Sequence, residues 1–330
     1  QNLKEGSRVQ MRLITELKGH KGVVWGCAWS PSGHRIATCG SDKTIRIWSD
    51  YTGSWIEEAT LVGEHEKTIR SVTFSPNGKL LAAASFDEKC TIWALADGVW
   101  DCMARIEPNS TEVKSVSFDS SGQYLAICTR NHQVMIWDAM SDDYFDTCTA
   151  NLDGHTQDVK RVLFHPNREM LVSASYDDTI RIWRDEGDDY ECAQTLRSHT
   201  STVWDVAFND EGDRIVSCSD DKSVIVWEPI DKVELDGWQV ACTAQGVSDF
   251  PLYSVDWQKG KIIVSGGDDC IRIFEVQTRP AEDGGGIRLE KVDEKDSAHA
   301  GDVNCVRFSP VDTGVFCSVG DDKVVRLWSV

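Results

Sequence analysis

The sequence predicts an all-β fold, a seven-bladed β-propeller that forms one domain over residues 1–330. A strand-ending aromatic recurs at Trp48, Trp93, Trp137, Trp183, Trp227, Phe274 and Trp328, at intervals of 45, 44, 46, 44, 47 and 54 residues. A period in this range is that of a four-stranded propeller blade. Between these aromatics, short runs alternate apolar and polar residues, the period-two signal of a strand. No single unit can bury its own apolar face, so the units must stack around a shared core.

Each unit reads in the same order. In the first, Gly19-His20 precedes the strand VVWGCAWS, Pro31-Ser32-Gly33 makes a tight turn, and RIATCGSD leads to TIRIW. Pro76-Asn77-Gly78, Ser121-Gly122, Pro166-Asn167 and Glu211-Gly212 repeat that punctuation. An outer fourth strand follows each tryptophan, as in WIEEATLV, VWDCMARI and YECAQTLR. The last unit reaches Val330 without one. QMRLITEL, Gln10 to Leu17, is predicted to be its outer strand, so that the N-terminal segment completes blade 7 and closes the ring. Closure removes the free sheet edges of an open array. Residues 229–247 are expected to lengthen the connection from blade 5 to blade 6. Residues 278–298, with Gly284-Gly285-Gly286 and alternating charges, are expected to be a flexible insertion.

A polar set recurs at fixed offsets: Asp six residues before Trp, Ser or Thr four before Asp, and His usually 22 before Asp. The complete sets are His20, Thr38, Asp42 and Trp48; His155, Ser173, Asp177 and Trp183; His199, Ser217, Asp221 and Trp227; and His299, Ser318, Asp322 and Trp328. These tetrads are the mark of WD-repeat propellers. They are assigned a structural role, a buried hydrogen-bonded network that locks strand to strand. A Ser-His-Asp hydrolase site is the other reading of the residue types, but a catalytic site is not built four times in one chain. Blade 2 keeps His65, Asp87 and Trp93 with Ala83 at the hydroxyl position, and blade 6 keeps Asp268 with Phe274 for Trp. Blade 3 has Asn109, Ile127 and Asn131, and of its tetrad only Trp137 remains.

The net charge of −20 argues against a direct nucleic-acid or anionic-membrane partner, since phosphate binding needs a positive field. No apolar run approaches the ~18–20 residues needed to span a bilayer. The twelve cysteines are read as reduced thiols in a cytosolic or nuclear compartment. No stretch reads as a secretory signal, and Cys39, Cys128 and Cys218 sit inside strand patterns where a small apolar residue fits. No two cysteines lie closer than ten residues, so no CxxC pair is present to hold zinc or an iron–sulfur cluster. There is no P-loop, no GxGxxG after a strand and no HExxH. The carboxylate pairs Asp142-Asp143 and Asp188-Asp189 fall in acidic connecting loops and are read as solvated. The expectation is a protein with no catalytic residue, no resident metal and no cofactor.

A propeller recognises partners mainly at one rim of its central channel. Two positions per blade are predicted to face that rim. The first, at the start of the inner strand, reads Trp25, Arg70, Lys114, Lys160, Trp204, Tyr253 and Asn304 around the ring. The second, just before the tetrad Asp, reads Ser41, Phe86, Arg130, Tyr176, Asp220, Gly267 and Asp321. Arg70, Lys114, Lys160 and Arg130 therefore cluster on blades 2 to 4, with Phe86 and Tyr176 between them and Asp220 and Asp321 opposite. The cations are expected to be uncompensated by acids at these positions. Aromatics beside arginine suit a protein-binding hot spot; the competing reading is a solvated charged face.

HTQDVK (155–160), SASYDDT (173–179), STVW (201–204), SCSDD (217–221), AASFD (83–87) and DVNCV (302–306) resemble the propeller subunit of the cytosolic iron–sulfur protein assembly targeting complex, and the likeness extends over all seven blades. The resemblance implies a non-enzymatic adaptor. Its partners would be a small subunit with a reactive cysteine, a large helical-repeat scaffold, and iron–sulfur apoprotein clients of the cytosol and nucleus. The family's third-blade arginine maps to Arg130 in CTRNHQVMIW, where Thr129, Asn131 and His132 replace the family's Ser, Asp and Lys. Arg130 is expected to be the centre of client recognition, meeting a carboxylate and an aromatic such as a protein's C-terminal tail offers. The alternative function is a generic WD-repeat peptide reader, a ubiquitin-ligase substrate receptor or a histone-tail binder.

Overall fold

In a computed structural model, which describes residues 10–108, 111–140, 145–187, 190–279, 285–312 and 314–330, the chain folds as seven antiparallel four-stranded sheets. Among the described residues there is no helix. Blade 1 is Val24–Trp29, Arg35–Gly40, Ile45–Ser49 and Ile56–Leu61, paired in that order from the channel outward. The later sheets occupy 69–106, 113–152, 159–197, 203–244 and 252–295. In the seventh, Val303–Phe308, Val315–Gly320 and Val324–Ser329 are joined on the outside by Arg12–Lys18 from the other end of the chain. The inner strands neighbour one another in sequence, and Val303–Phe308 packs against Val24–Trp29, so the ring is closed.

The core is divided into seven apolar slices, each lying between adjacent blades. Ala37, Ile45, Val72 and Leu81 fill the slice between blades 1 and 2. Leu17, Val24, Ile36, Val319 and Leu327 fill the one between blades 7 and 1. This arrangement explains where period-two alternation fails. Second strands such as LLAAAS (80–85) and MLVSAS (170–175) are almost wholly buried, because a blade covers each of their faces. Outer strands such as IEEATL (56–61) keep an exposed, polar face.

Two segments differ from expectation. Residues 229–247 are no connecting insertion: Asp236–Ala244 is the outer strand of blade 5, paired with Val224–Asp231, and Leu235 and Trp238 are buried against blade 4. Likewise, Ile287–Lys295 within the supposed flexible insertion 278–298 is the outer strand of blade 6, paired with Ile271–Thr278. Ile287 and Leu289 pack against the slice between blades 5 and 6. The alternating charges of IRLEKVDEK are the solvent face of a strand, which sequence reading mistook for loop polarity. Asn109, Asp142-Asp143, Asp188-Asp189 and Gly284 lie outside the described residues.

Candidate functional site

A single backbone device positions the channel-mouth side chains. In every blade the ladder between the first two strands skips one residue. The skipped residue is Trp25, Arg70, Lys114, Lys160, Trp204, Tyr253 or Asn304. A β-bulge leaves its extra residue unpaired and re-aims the side chain. Here it turns seven side chains off the sheet and into the mouth. The second position is tied to the first by a repeated bond. Its backbone N–H donates to the carbonyl two residues before the bulge, as in Phe86 to Thr68 (3.0 Å), Arg130 to Glu112 (3.0 Å) and Tyr176 to Asp158 (2.9 Å). The residue that follows the tetrad Asp has a positive φ in every blade, including His132 (69°) in blade 3. Blade 3 has therefore lost the tetrad His, Ser and Asp but not the turn that carries Arg130.

Six of the predicted residues line one recess of about 170 Å³: Trp25, Arg70, Phe86, Lys114, Lys160 and Trp204. It opens on a channel cavity of about 430 Å³, whose wall includes Tyr253 and Asn304. The cations lie over aromatic rings: Arg70 on Trp25 at 5.3 Å, Lys114 on Phe86 at 4.2 Å, and Lys160 between Tyr176 (5.1 Å) and Trp204 (5.2 Å). Trp204 meets Tyr253 edge to face at 5.5 Å. Burial draws the Arg70 pKa down. Burial also lowers that of Lys160, with Asp158 opposing the shift. Burial raises Tyr253, and the nearby Asp302 carboxylate adds to this, to about 12.

One expectation about charge needs correction. The cations are not all uncompensated. Glu112 pairs with Lys114 and, at 3.3 Å, with Arg130, and Asp158 lies 3.4 Å from Lys160. Burial pushes the Glu112 pKa up, but its hydrogen bonds to the two cations outweigh this and hold it low. The sequence carried the signal: each acid stands two residues before its lysine, on the same side of an extended chain. Among the described residues Arg70 has no carboxylate within ion-pair distance, its nearest bond being to the Trp25 carbonyl at 3.3 Å. Arg130 lies apart from the recess. Its side chain is 61% exposed against 11% for Lys114 and 14% for Lys160, and it stands on the outer edge, outside both cavities.

Sequence reading missed the layer beneath the mouth. Asp205 is buried and joins four blades: Arg161 Nε at 3.2 Å, Ser254 Oγ at 2.9 Å, Arg307 at 2.9 Å and the Val255 N–H at 3.1 Å. Burial raises its pKa, yet the Arg307 and Arg161 guanidiniums outweigh that and keep it charged. Its place directly after Trp204, where Arg161 follows Lys160, was the available clue.

The tetrads form as a relay. In blade 4, His155 bonds Asp177 (2.8 Å) and Ser173 (2.7 Å), and Trp183 donates to the same Ser173 hydroxyl (2.8 Å). Blades 1, 5 and 7 repeat it with Thr38, Ser217 and Ser318. Blade 2 does not lack its hydroxyl. Thr91, directly across the ladder from Ala83, bonds His65 (2.8 Å) and Trp93 (3.0 Å). In blade 6, which lacks the histidine, Ser248 and Arg272 bond Asp268, the latter at 2.6 Å, as Arg326 bonds Asp322 in blade 7. In blade 3, Trp137 Nε1 is buried without a partner among the described residues. Cys270, Glu294 and Asp296 bring potential ligand atoms within 4.8 Å of one another. Arg272 and Lys291 already neutralise Glu294 there, which makes this an ion-pair cluster.

A model of the WD domain, G-beta repeat family matches residues 11–49, 57–94, 100–138, 146–184, 190–228 and 293–329. The stretch it leaves out holds most of blade 6, where the tryptophan and histidine are replaced. The chain is similar to proteins named probable cytosolic iron-sulfur protein assembly protein Ciao1. That of Culex quinquefasciatus is 42% identical over 97% of this chain and 98% of its own length. That of Aedes aegypti is 40% identical over 97% and 98%. A Chlamydomonas reinhardtii protein named probable cytosolic iron-sulfur protein assembly protein CIAO1 homolog is 38% identical over 96% and 97%.

Proposed function

The chain belongs to the WD domain, G-beta repeat family, among the cytosolic iron-sulfur protein assembly proteins, and from that premise we propose that it is a non-catalytic adaptor of that assembly. It works in the cytosol, where it recruits iron–sulfur apoproteins and joins a small reactive-cysteine subunit to a helical-repeat scaffold. One observation carries the reading: the bulged mouth positions of blades 1 to 5 set three cations over aromatic rings in one recess. Such a recess suits a partner segment that ends in a carboxylate beside an aromatic. Arginine grips a carboxylate with two parallel hydrogen bonds, and the rings shield the pair from water. Arg70, with no acid at ion-pair distance among the described residues, is the group most in need of that anion. Glu112 and Asp158 keep the lysines from repelling one another until the partner arrives.

Co-purification from cytosol tests the proposal. The wild type is expected to retain iron–sulfur apoproteins and a helical-repeat scaffold, with capture weakening as salt rises. Arg70→Glu is expected to cost roughly 2–5 kcal/mol of client affinity, as for a desolvated charge pair. Arg130→Glu, at the exposed edge, is expected to cost about 1 kcal/mol, chiefly through slower association. Unchanged capture by a folded Arg70→Glu protein would overturn the assignment of the recess. Recovery of cullin machinery or nucleosomes in place of iron–sulfur proteins would overturn the adaptor role and favour a generic peptide reader.

A further inference from the structure

Blade 7 is the one sheet built from both ends of the chain, and its seam with blade 1 is where the ring closes. Three buried thiols meet at that seam. Cys27, on the inner strand of blade 1, has its sulfur 3.1 Å from that of Cys317 and 3.7 Å from that of Cys305. Both neighbours belong to blade 7. A sulfur–sulfur bond is ~2.05 Å long, so closing the shorter gap takes a movement of about 1 Å. Nothing in the tetrads, the mouth or the Asp205 layer uses these thiols. Small apolar residues would fill the same slice without meeting sulfur to sulfur.

We propose that Cys27 is a site of oxidative cross-linking, forming a disulfide with Cys317 or Cys305 that locks blade 7 to blade 1. Either pairing crosses the same seam, because both possible partners lie on the blade 7 side. Cys27 and Cys305 stand on the wall of the channel cavity, which is large enough to admit a peroxide. In the first step the Cys27 sulfur attacks a peroxide oxygen. An S–O bond forms, the O–O bond breaks and water leaves. In the second step the neighbouring thiol attacks the sulfenic sulfur. An S–S bond forms, the S–O bond breaks and a second water carries off the last proton. The two thiols together give up two electrons, and hydrogen peroxide takes them. Burial holds the Cys27 thiol well above its ordinary range. The reaction is therefore slow and responds to sustained oxidation. The Cys27–Cys317 bond would span 290 residues of sequence. A loop that long strongly confines the unfolded chain, so the linked protein resists opening at the seam.

The test is prolonged exposure of the folded, full chain to hydrogen peroxide, followed by peptide mapping without reductant. The expected product is a peptide pair joining Cys27 to Cys317 or Cys305, two hydrogens lighter than its parts. It should come with a melting temperature several degrees higher, restored by dithiothreitol. Cys27→Ser should lose both the linked peptide and the shift, whereas Cys192→Ser, at an exposed thiol, should keep them. If Cys27→Ser does not fold, reversal of the wild-type shift by dithiothreitol decides the matter. The proposal is overturned if Cys148 and Cys192 oxidise while Cys27 stays a thiol, or if the cross-link forms without moving the melting temperature.

Discussion

Thr91 illustrates how one hydroxyl serves two ring nitrogens. It bonds His65 and Trp93 from the third strand, the task Ser173 performs from the second strand of blade 4. The relay needs an oxygen at that point in space, and either strand can supply it because the two positions face each other across the ladder. Thr91→Val keeps the shape and removes the oxygen, leaving two buried ring groups unbonded. It should lower stability by about 1–3 kcal/mol in urea denaturation. A loss no larger than that of an exposed threonine control would refute the shared role. Asp205 is the other residue on which several elements depend. Asp205→Ala would strand Arg161 and Arg307 as part-buried, unpaired charges, and should cost at most about 3–5 kcal/mol. A variant that melts like the wild type would show that the channel layer contributes little.

Among the elements, the N-terminal strand has the clearest energetic weight. Arg12–Lys18 pairs along the outer edge of Val324–Ser329, and Leu17 is buried in the slice between blades 7 and 1. Arg326 adds a side-chain link to Glu16 at 2.8 Å. Removing residues 1–17 should expose that slice and an unpaired edge, and lower stability by several kcal/mol, as for the loss of buried packing elsewhere. An unchanged melting temperature would show that blade 7 holds with three strands. The bulge of each inner strand is the element on which the mouth depends. Where it places Lys114 and Lys160, the acids two residues earlier come with them, so the charge state of the recess follows from local strand geometry.

For the whole molecule, repeated buried histidines make stability depend on pH. Burial lowers the pKa of His65, His155 and His299 below the ordinary 6.5. Those rings are neutral in the folded state, and the unfolded chain takes up protons first as pH falls below ~6.5. For Asp42, Asp177, Asp221 and Asp322 burial acts upward, but bonds to the histidines, together with those from backbone N–H groups and from Thr44, Thr179, Ser223 or Arg326, outweigh it and hold the carboxyls well below the ordinary 3.8. Their contribution is complete above that value and is lost as pH falls from it toward the depressed one. Unfolding free energy should therefore fall in two stages, the first beginning near pH ~6.5 and a steeper one below ~4. Urea titrations from pH 7.5 to 3 check this, and a flat profile down to pH 5 would contradict the neutral-histidine assignment.

The sequence by itself determined the architecture. The aromatic period sets the blade count, because one four-stranded unit has a nearly fixed length. The short last unit together with QMRLITEL shows where the ring closes, and the repeat offset identifies the mouth positions, since equivalent positions in a ring face the same way. The tertiary structure alone decided what those side chains meet. The outer strands Asp236–Ala244 and Ile287–Lys295 read as loops because their polar faces are covered by nothing, and only the neighbouring blade defines their buried side. The rescue by Thr91, the pairing of Arg130 with Glu112, the four-blade bonds of Asp205 and the meeting of Cys27 with Cys317 lie across ladders or between blades. Repeat spacing predicts which way a side chain points, but only the closed ring brings residues some 50 to 290 positions apart within bonding distance.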